Sequence, residues 1–171
     1  YAAGYPISLV VTQPDRPRGR GRKTASSPIK AAAEGLGLEI FQPASLKNAE
    51  TVERISTADP AFIVVIAFGQ ILPKSILDIP RCGAVNVHAS LLPKYRGAAP
   101  IQWAVLNREK ETGVTTMLMD EGVDTGDILL SGRTDILEGE TAGALHDRLA
   151  AMGAGLIVRT LRAMERGDIS P

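Results

Sequence analysis

Hydrophobic and polar residues alternate along this chain in blocks of changing period. Residues 7–12 are mostly apolar and β-branched, which predicts a strand. The stretch Pro14-Asp15-Arg16-Pro17-Arg18-Gly19-Arg20-Gly21-Arg22-Lys23 is rich in Pro and Gly, and an exposed loop without regular structure is expected. Ser27 followed by Pro28 reads as the N-cap and first turn of a helix ending near Gly35. A short strand is expected at 38–41 and a polar helix near 46–57. Residues 62–68 (Phe62-Ile63-Val64-Val65-Ile66-Ala67-Phe68) are apolar without alternation, as in a central parallel strand buried on both faces. After a turn at 78–83 the chain enters a strand that carries Asn86 and His88. A helix is predicted at 100–106, where Trp103 is expected to pack, and a strand at 112–119. An acidic loop at 120–127 then leads to a strand at 128–136, antiparallel if it returns directly. Helical periodicity starts at Glu140-Thr141 and runs to about Glu165, with a break expected near Gly153–Gly155.

Strands alternating with helices predict an α/β fold, Rossmann-like, with a mostly parallel central sheet flanked by helices. Ligands of such sheets bind beyond the carboxyl ends of the strands. The run Asn86-Val87-His88-Ala89-Ser90-Leu91-Leu92-Pro93-Lys94-Tyr95-Arg96-Gly97 occupies that kind of place. Alternate residues of a strand share a face, so Asn86, His88 and Ser90 point one way and Val85, Val87 and Ala89 the other. An amide and an imidazole side by side on a buried strand are costly unless both find partners or a use. A lone core histidine would favour a packing role; with Asn86 beside it and a polar, Pro-stiffened loop beyond, the catalytic reading of His88 leads. His146, on a predicted helix, lacks such company and is expected to be a partly exposed packing residue.

The second candidate element is Asp120-Glu121-Gly122-Val123-Asp124-Thr125-Gly126-Asp127. A calcium loop does not fit, because Val123 falls where a polar ligand is needed. A plain solvated turn competes with a loop that bends one carboxylate towards His88. Asp124, between the two glycines, is the best placed. A carboxylate beside an imidazole stabilises its protonated form and fixes its orientation.

Composition narrows the classes. The 171 residues suit one domain, and 44% hydrophobic with 22% charged residues is ordinary for a globular protein. Aromatics at 4% argue against a stacking platform for single-stranded nucleic acid. The single cysteine, Cys82, excludes an internal disulfide and is expected to be a semi-buried, inert thiol. Two histidines and one cysteine offer no zinc site, and no metal is expected. There is no G-x-x-x-x-G-K-[ST] loop, no G-x-S-x-G elbow and no apolar run of membrane-spanning length. The expected setting is the cytosol, and the expected state a monomer.

The net charge of zero conceals an asymmetry. Setting aside Arg16, Arg18, Arg20, Arg22, Lys23 and Asp15 leaves 14 of the 19 basic residues against 18 of the 19 acidic ones. A basic arm projecting from a mildly acidic body suits a phosphate backbone, with affinity that falls as salt rises. The ends, Tyr1-Ala2-Ala3-Gly4 and Gly167-Asp168-Ile169-Ser170-Pro171, resemble internal points of a longer chain. The expectation is a catalytic domain at 1–166, without its first strand and helix, and the start of a linker at 167–171.

The 86–97 motif resembles the signature of the 10-formyltetrahydrofolate-dependent formyltransferases, and Val123-Asp124-Thr125-Gly126-Asp127 resembles their second signature. Within that superfamily, residues 12–21 and 97–102 are similar to members that act on initiator methionyl-tRNA. The resemblance covers nearly the whole chain. It implies a Rossmann-like catalytic domain followed elsewhere by a small β-barrel. It also implies transfer of a formyl group from 10-formyltetrahydrofolate, as co-substrate, to the methionyl α-amine of initiator tRNA. Asn86, His88 and Asp124 would be catalytic. Phe68, Gly69, Ile71, Leu72, Ser90, Leu91, Leu92, Pro93, Val123 and Thr125 would line the folate site, and Arg16, Arg18, Arg20, Arg22 and Lys23 would meet tRNA. For Ile71 and Leu72, simple core packing remains an equal reading. The alternatives are a formyltransferase for an amino sugar nucleotide or glycinamide ribonucleotide, a folate hydrolase, and a non-catalytic RNA-binding module.

Overall fold

The computed structural model describes residues 1–18 and 23–169. The chain forms two compact units, Tyr1–Pro60 and Ala61–Pro171.

In the first unit, β1 (Val10–Val11) pairs in parallel with β4 (Ile40–Phe41), shorter at both strands than the apolar runs predicted. Between them lie β2 (Arg16–Arg18), β3 (Lys23–Ala25) and α1 (Pro28–Gly35), and α2 (Ala49–Thr57) follows. The Ser27 hydroxyl accepts from the Lys30 amide at 3.1 Å, so the predicted N-cap is the observed one. The basic arm differs from expectation: β2 and β3 form an antiparallel pair, with Pro17 opposite Thr24. A two-stranded ribbon tolerates Pro because a residue there can turn its missing N–H outwards. Arg20 and Arg22 lie outside the described residues. At the arm's base Asp15 accepts from Lys30 at 2.5 Å and from Gln42 at 3.0 Å, which holds its carboxyl below the usual range.

The second unit is a four-stranded sheet in the order β5 (Ile63–Ile66), β6 (Ala84–His88), β7 (Glu111–Leu118), β8 (Ile128–Asp135). β5 and β6 are parallel, joined through the single turn α3 (Lys74–Leu77). β6–β7 and β7–β8 are antiparallel, with a register irregularity at Thr116/Met117. β5 does not have both faces buried as its sequence suggested. It alternates instead, with Val64 and Ile66 exposed on one face.

α4 (Pro100–Leu106) connects β6 to β7, and α5 (Ala142–Arg166) packs on β7 and β8. Leu145, Leu149 and Leu156 of α5 meet Ile101 and Val114 in the core, with Val87 and Ala89 against them. The expected break in this helix is absent: α5 runs 25 residues without interruption. Glycine weakens a helix interior by about 1 kcal/mol, yet Gly153 has a packing reason. A Cβ there would stand 3.2 Å from Val87 Cγ1, so the missing side chain lets the helix lie close to the sheet. Two further expectations fail for want of a covering layer: Trp103 is 52% exposed, and Cys82 is exposed.

The turn from β8 into α5 is held by one charged clamp. Arg148 donates to both oxygens of Glu140 at 2.8 Å and also reaches Thr134 Oγ1 and the Asp135 carbonyl. The Arg148 bonds, then the Leu137 amide, keep the Glu140 carboxyl below the usual range. A carboxyl whose pKa is lower in the folded state contributes stability that is complete above its unfolded pKa and is lost as pH falls through the folded one. Glu140→Gln is therefore expected to lower the melting temperature at pH 7. The gap from the parent should narrow as melts are recorded down towards pH 3; a constant gap would show that charge is not the source.

Candidate active site

β6 delivers the site. Val87 faces the α5 core, which turns Asn86 and His88 to the other side of the sheet, as the alternation predicted. His88 is 7% exposed, so its ring is almost wholly removed from water. Asp124 arrives 38 residues after Asn86, in the loop between β7 and β8, and Asn86 Nδ2 donates to its Oδ1 at 3.1 Å. The other oxygen, Oδ2, accepts from the Gly97 amide at 2.8 Å. His88 Nδ1 lies 3.4 Å from that same Oδ2, longer than a good charge-assisted bond. Asn86 and His88 thus converge on the carboxylate of Asp124, the third residue predicted to be catalytic, which adopts a left-handed backbone (φ 51°) that Asp tolerates better than most.

His88 Nε2 lies 2.8 Å from the Tyr95 carbonyl oxygen, which can only accept, so this nitrogen carries a hydrogen. Nδ1 is then the ring nitrogen that faces the Asp124 carboxylate. Asn86 also keeps one amide hydrogen beyond the one given to Asp124.

The loop after β6 is fixed by its own polar groups. Buried Ser90 donates to the Lys94 carbonyl at 2.6 Å. Thr115, cross-strand from His88 and fully buried, donates to the Ser90 carbonyl at 2.7 Å and accepts from the Leu92 amide at 3.2 Å. The Ser90 hydroxyl is therefore committed to the loop rather than presented to a ligand. Thr125 is likewise committed, donating to Asp120 at 2.7 Å. Sequence reasoning missed Thr115, Tyr95, Gly97 and Glu109, which act through contacts between segments distant in the chain; only the strand register of Thr115 opposite His88 could have signalled one of them.

The remaining predicted folate residues divide. Ile66 sits opposite Val87 on a parallel strand, so the 67–72 segment leaves the sheet at the same end as the segment after His88. Along it, Phe68 is half-buried, Gly69 takes a positive φ of 78°, Ile71 is 69% exposed and Leu72 is buried. Core packing is thus the structural role of Leu72. Leu91 and Leu92 line a cavity of about 470 Å³ together with Tyr95, Arg108, Glu109 and Thr112, whereas neither 67–72 nor the acidic loop borders it. Pro93 is exposed, and Val123 is 53% exposed. His146 is an exposed side chain beside Asp147, away from this cluster's contacts.

Residues 3–161 match the family described as formyl transferase. The chain belongs to that family. A methionyl-tRNA formyltransferase of Pelotomaculum thermopropionicum is 55% identical over 165 residues, 96% of this chain and 53% of that protein. Another of that name, from Citrifermentans bemidjiense, is 53% identical over 168 residues, covering 98% and 53%. The chain thus spans about half the length of these formyl transferase relatives. Among solved structures, a phosphoribosylglycinamide formyltransferase from Streptococcus pneumoniae superposes with a TM-score of 0.79 at 21% identity, covering 95% of this chain and 89% of that one. A formyltetrahydrofolate deformylase from Pseudomonas syringae gives 0.71 at 22%, covering 81% and 49%. These place the formyl transferase fold, as the sequence predicted. Among the described residues no helix is long and apolar enough to cross a membrane.

Proposed function

We propose that the protein carrying this chain transfers the formyl group of 10-formyltetrahydrofolate to the α-amine of methionyl-initiator tRNA. The observation that carries the chemistry is the convergence of Asn86, His88 and Gly97 on the Asp124 carboxylate. The acceptor is supported by relatives more than half identical that bear the methionyl-tRNA formyltransferase name.

The residues fit a folate co-substrate. Ile71 and Val123 expose apolar side chains that a flat heterocycle would cover, and residues 90–93 would form a wall in which the Ser90 hydroxyl and the Leu92 amide already have partners. Bound folate supplies the formyl carbon and a departing N10. Asn86 donates its remaining amide hydrogen to the formyl oxygen as the amine attacks, stabilising the developing oxyanion. His88 Nδ1 takes the proton released by the amine, with Asp124 offsetting the charge, and returns it to N10 as the C–N10 bond breaks. A formylation assay offering charged initiator tRNA and an amino sugar nucleotide in parallel tests this reading. Labelled formyl appearing only on the sugar nucleotide, or only in free formate, would overturn it.

The arm that includes Arg16, Arg18, Arg20, Arg22 and Lys23 is proposed to meet the tRNA phosphate backbone. Changing Arg16 and Arg18 to Gln is expected to weaken tRNA binding and to reduce the slope of log affinity against log salt by about 1–2, since each phosphate contact adds close to one. Folate affinity should stay within twofold. A matching loss of folate affinity, seen by titration calorimetry, would end the separation of roles.

A further inference from the structure

The carbonyl that His88 faces belongs to a residue with an unusual set of constraints. Tyr95 has a positive φ of 57°, a conformation that bulky side chains rarely adopt. Its neighbours are pinned on both sides: Ser90 holds the Lys94 carbonyl at 2.6 Å, and Asp124 holds the Gly97 amide at 2.8 Å. The Tyr95 hydroxyl is tied in turn to the turn between α4 and β7. It donates to Glu109 Oε1 at 2.7 Å and accepts from Asn107 Nδ2 at 2.9 Å. One residue therefore touches the imidazole with its backbone and a separate turn with its side chain.

We propose that Tyr95 is a positioning residue for His88: its hydroxyl, gripped by Glu109 and Asn107, fixes the carbonyl that accepts from His88 Nε2 and so selects Nδ1 as the nitrogen that handles the substrate's proton. A histidine's reactive nitrogen is commonly set by the bond its other nitrogen makes. Here that partner is a main-chain oxygen, which no substitution of residue 95 removes; only its placement can be altered. The phenol supplies the placement, because a tether at the ring tip restrains the residue at a point remote from its left-handed backbone. Glu109 suits the task, since the Tyr95 hydroxyl and then Lys94 hold its carboxyl below the usual range and keep it an acceptor at neutral pH.

The mechanistic part of this inference rests on the proposed formyl transfer; the geometric part does not, and the test separates them. Tyr95→Phe keeps the ring and deletes both bonds at its tip. In the protein that carries this chain, kcat for methionyl-tRNA formylation should fall about tenfold, by analogy with the low end of what losing the partner of a metal-bound histidine costs, with the KM for folate within twofold. The His88 Nε2–H signal in nitrogen-15 NMR should broaden or vanish; exposed His146, the other histidine of these 171 residues, serves as the internal control. Glu109→Gln keeps an acceptor and should retain most of kcat and the signal, whereas Glu109→Ala should match Tyr95→Phe, and the double change should add little. Tyr95→Phe with an unchanged His88 signal and kcat within twofold would overturn the proposal. So would Glu109→Gln losing as much as Glu109→Ala. An altered His88 signal in a protein that formylates no tRNA would leave the positioning role standing and remove the proposed function instead.

Discussion

Asp124→Asn is expected to lower kcat for formyl transfer by about 10²–10³-fold, the range seen when one preorganised oxyanion donor is lost, while folate and tRNA affinities change little. The residue's shape is preserved, so the effect comes from hydrogen-bond chemistry. The carboxylate accepts on both sides, from Asn86 at 3.1 Å and from the Gly97 amide at 2.8 Å. A carboxamide has one accepting oxygen and one donating nitrogen. Whichever way it turns, its NH₂ meets another N–H: either Asn86 is pushed from its position or Gly97 is released. The charge facing His88 Nδ1 at 3.4 Å disappears at the same time. Asn86→Ala should reach a similar loss by deleting the donor directly. The double variant should fall well short of the product of the two, because both changes act on one cluster. Steady-state kinetics with saturating tRNA decides the matter. A rise in KM at constant kcat would assign Asp124 to ground-state binding and remove it from the chemistry.

The second large effect concerns stability. Gly113→Ala in β7 should destabilise the fold by about 3 kcal/mol, the upper end of typical overpacking costs. A Cβ on Gly113 would lie 2.0 Å from the Gly132 carbonyl oxygen on β8 and 2.6 Å from Leu91 Cδ2. The Leu91 side chain can turn, but the β8 backbone can yield only by parting the β7–β8 pair. Displacing Leu91 also disturbs the loop that follows His88, so activity should drop alongside stability. Gly155→Ala is the contrast. It lies within α5 with open space where its Cβ would stand, and should stabilise by about 0.5–1 kcal/mol. Denaturant midpoints at constant m-value measure both. Equal behaviour of the two variants would show that the close approach to Gly132 does not govern the cost.

Local signals predicted local structure well. Ser27-Pro28 marked the start of α1 because capping is a property of a few adjacent residues. The runs at 112–119 and 128–136 marked β7 and β8, although only β8 alternates in burial; β7 is buried on both faces from Thr112 to Met117. Asn86 and His88 were legible as a pair because alternate residues of a strand share a face, and Asp124 because a carboxylate between two glycines sits in a loop free to bend. What could not be read depends on partners far along the chain. The β2–β3 pairing overrode a composition that argued for a loop. Gly153 and Gly155 suggested a break because the sequence does not disclose that Val87 waits beneath the helix. The runs at 62–68 and around Trp103 signalled apolarity correctly, but whether a layer covers them is not a local property. Tyr95 is the sharpest case. Its side chain reads as one more loop aromatic, whereas its hydroxyl meets Glu109 and its carbonyl meets His88.

The spacing of the cluster also governs the order in which it can come into being. Asn86 and His88 are placed by their own strand, but the carboxylate they share lies 38 residues after Asn86 and is carried into position by β7. Closing a loop of that length costs entropy that grows only slowly with its size, and the antiparallel ladder between β6 and β7 recovers it. During synthesis the chain therefore displays an amide and an imidazole with nothing between them until β7 has emerged and paired. A polypeptide cut short before that point carries Asn86, His88 and the Tyr95 carbonyl but lacks the carboxylate that joins the amide to the imidazole.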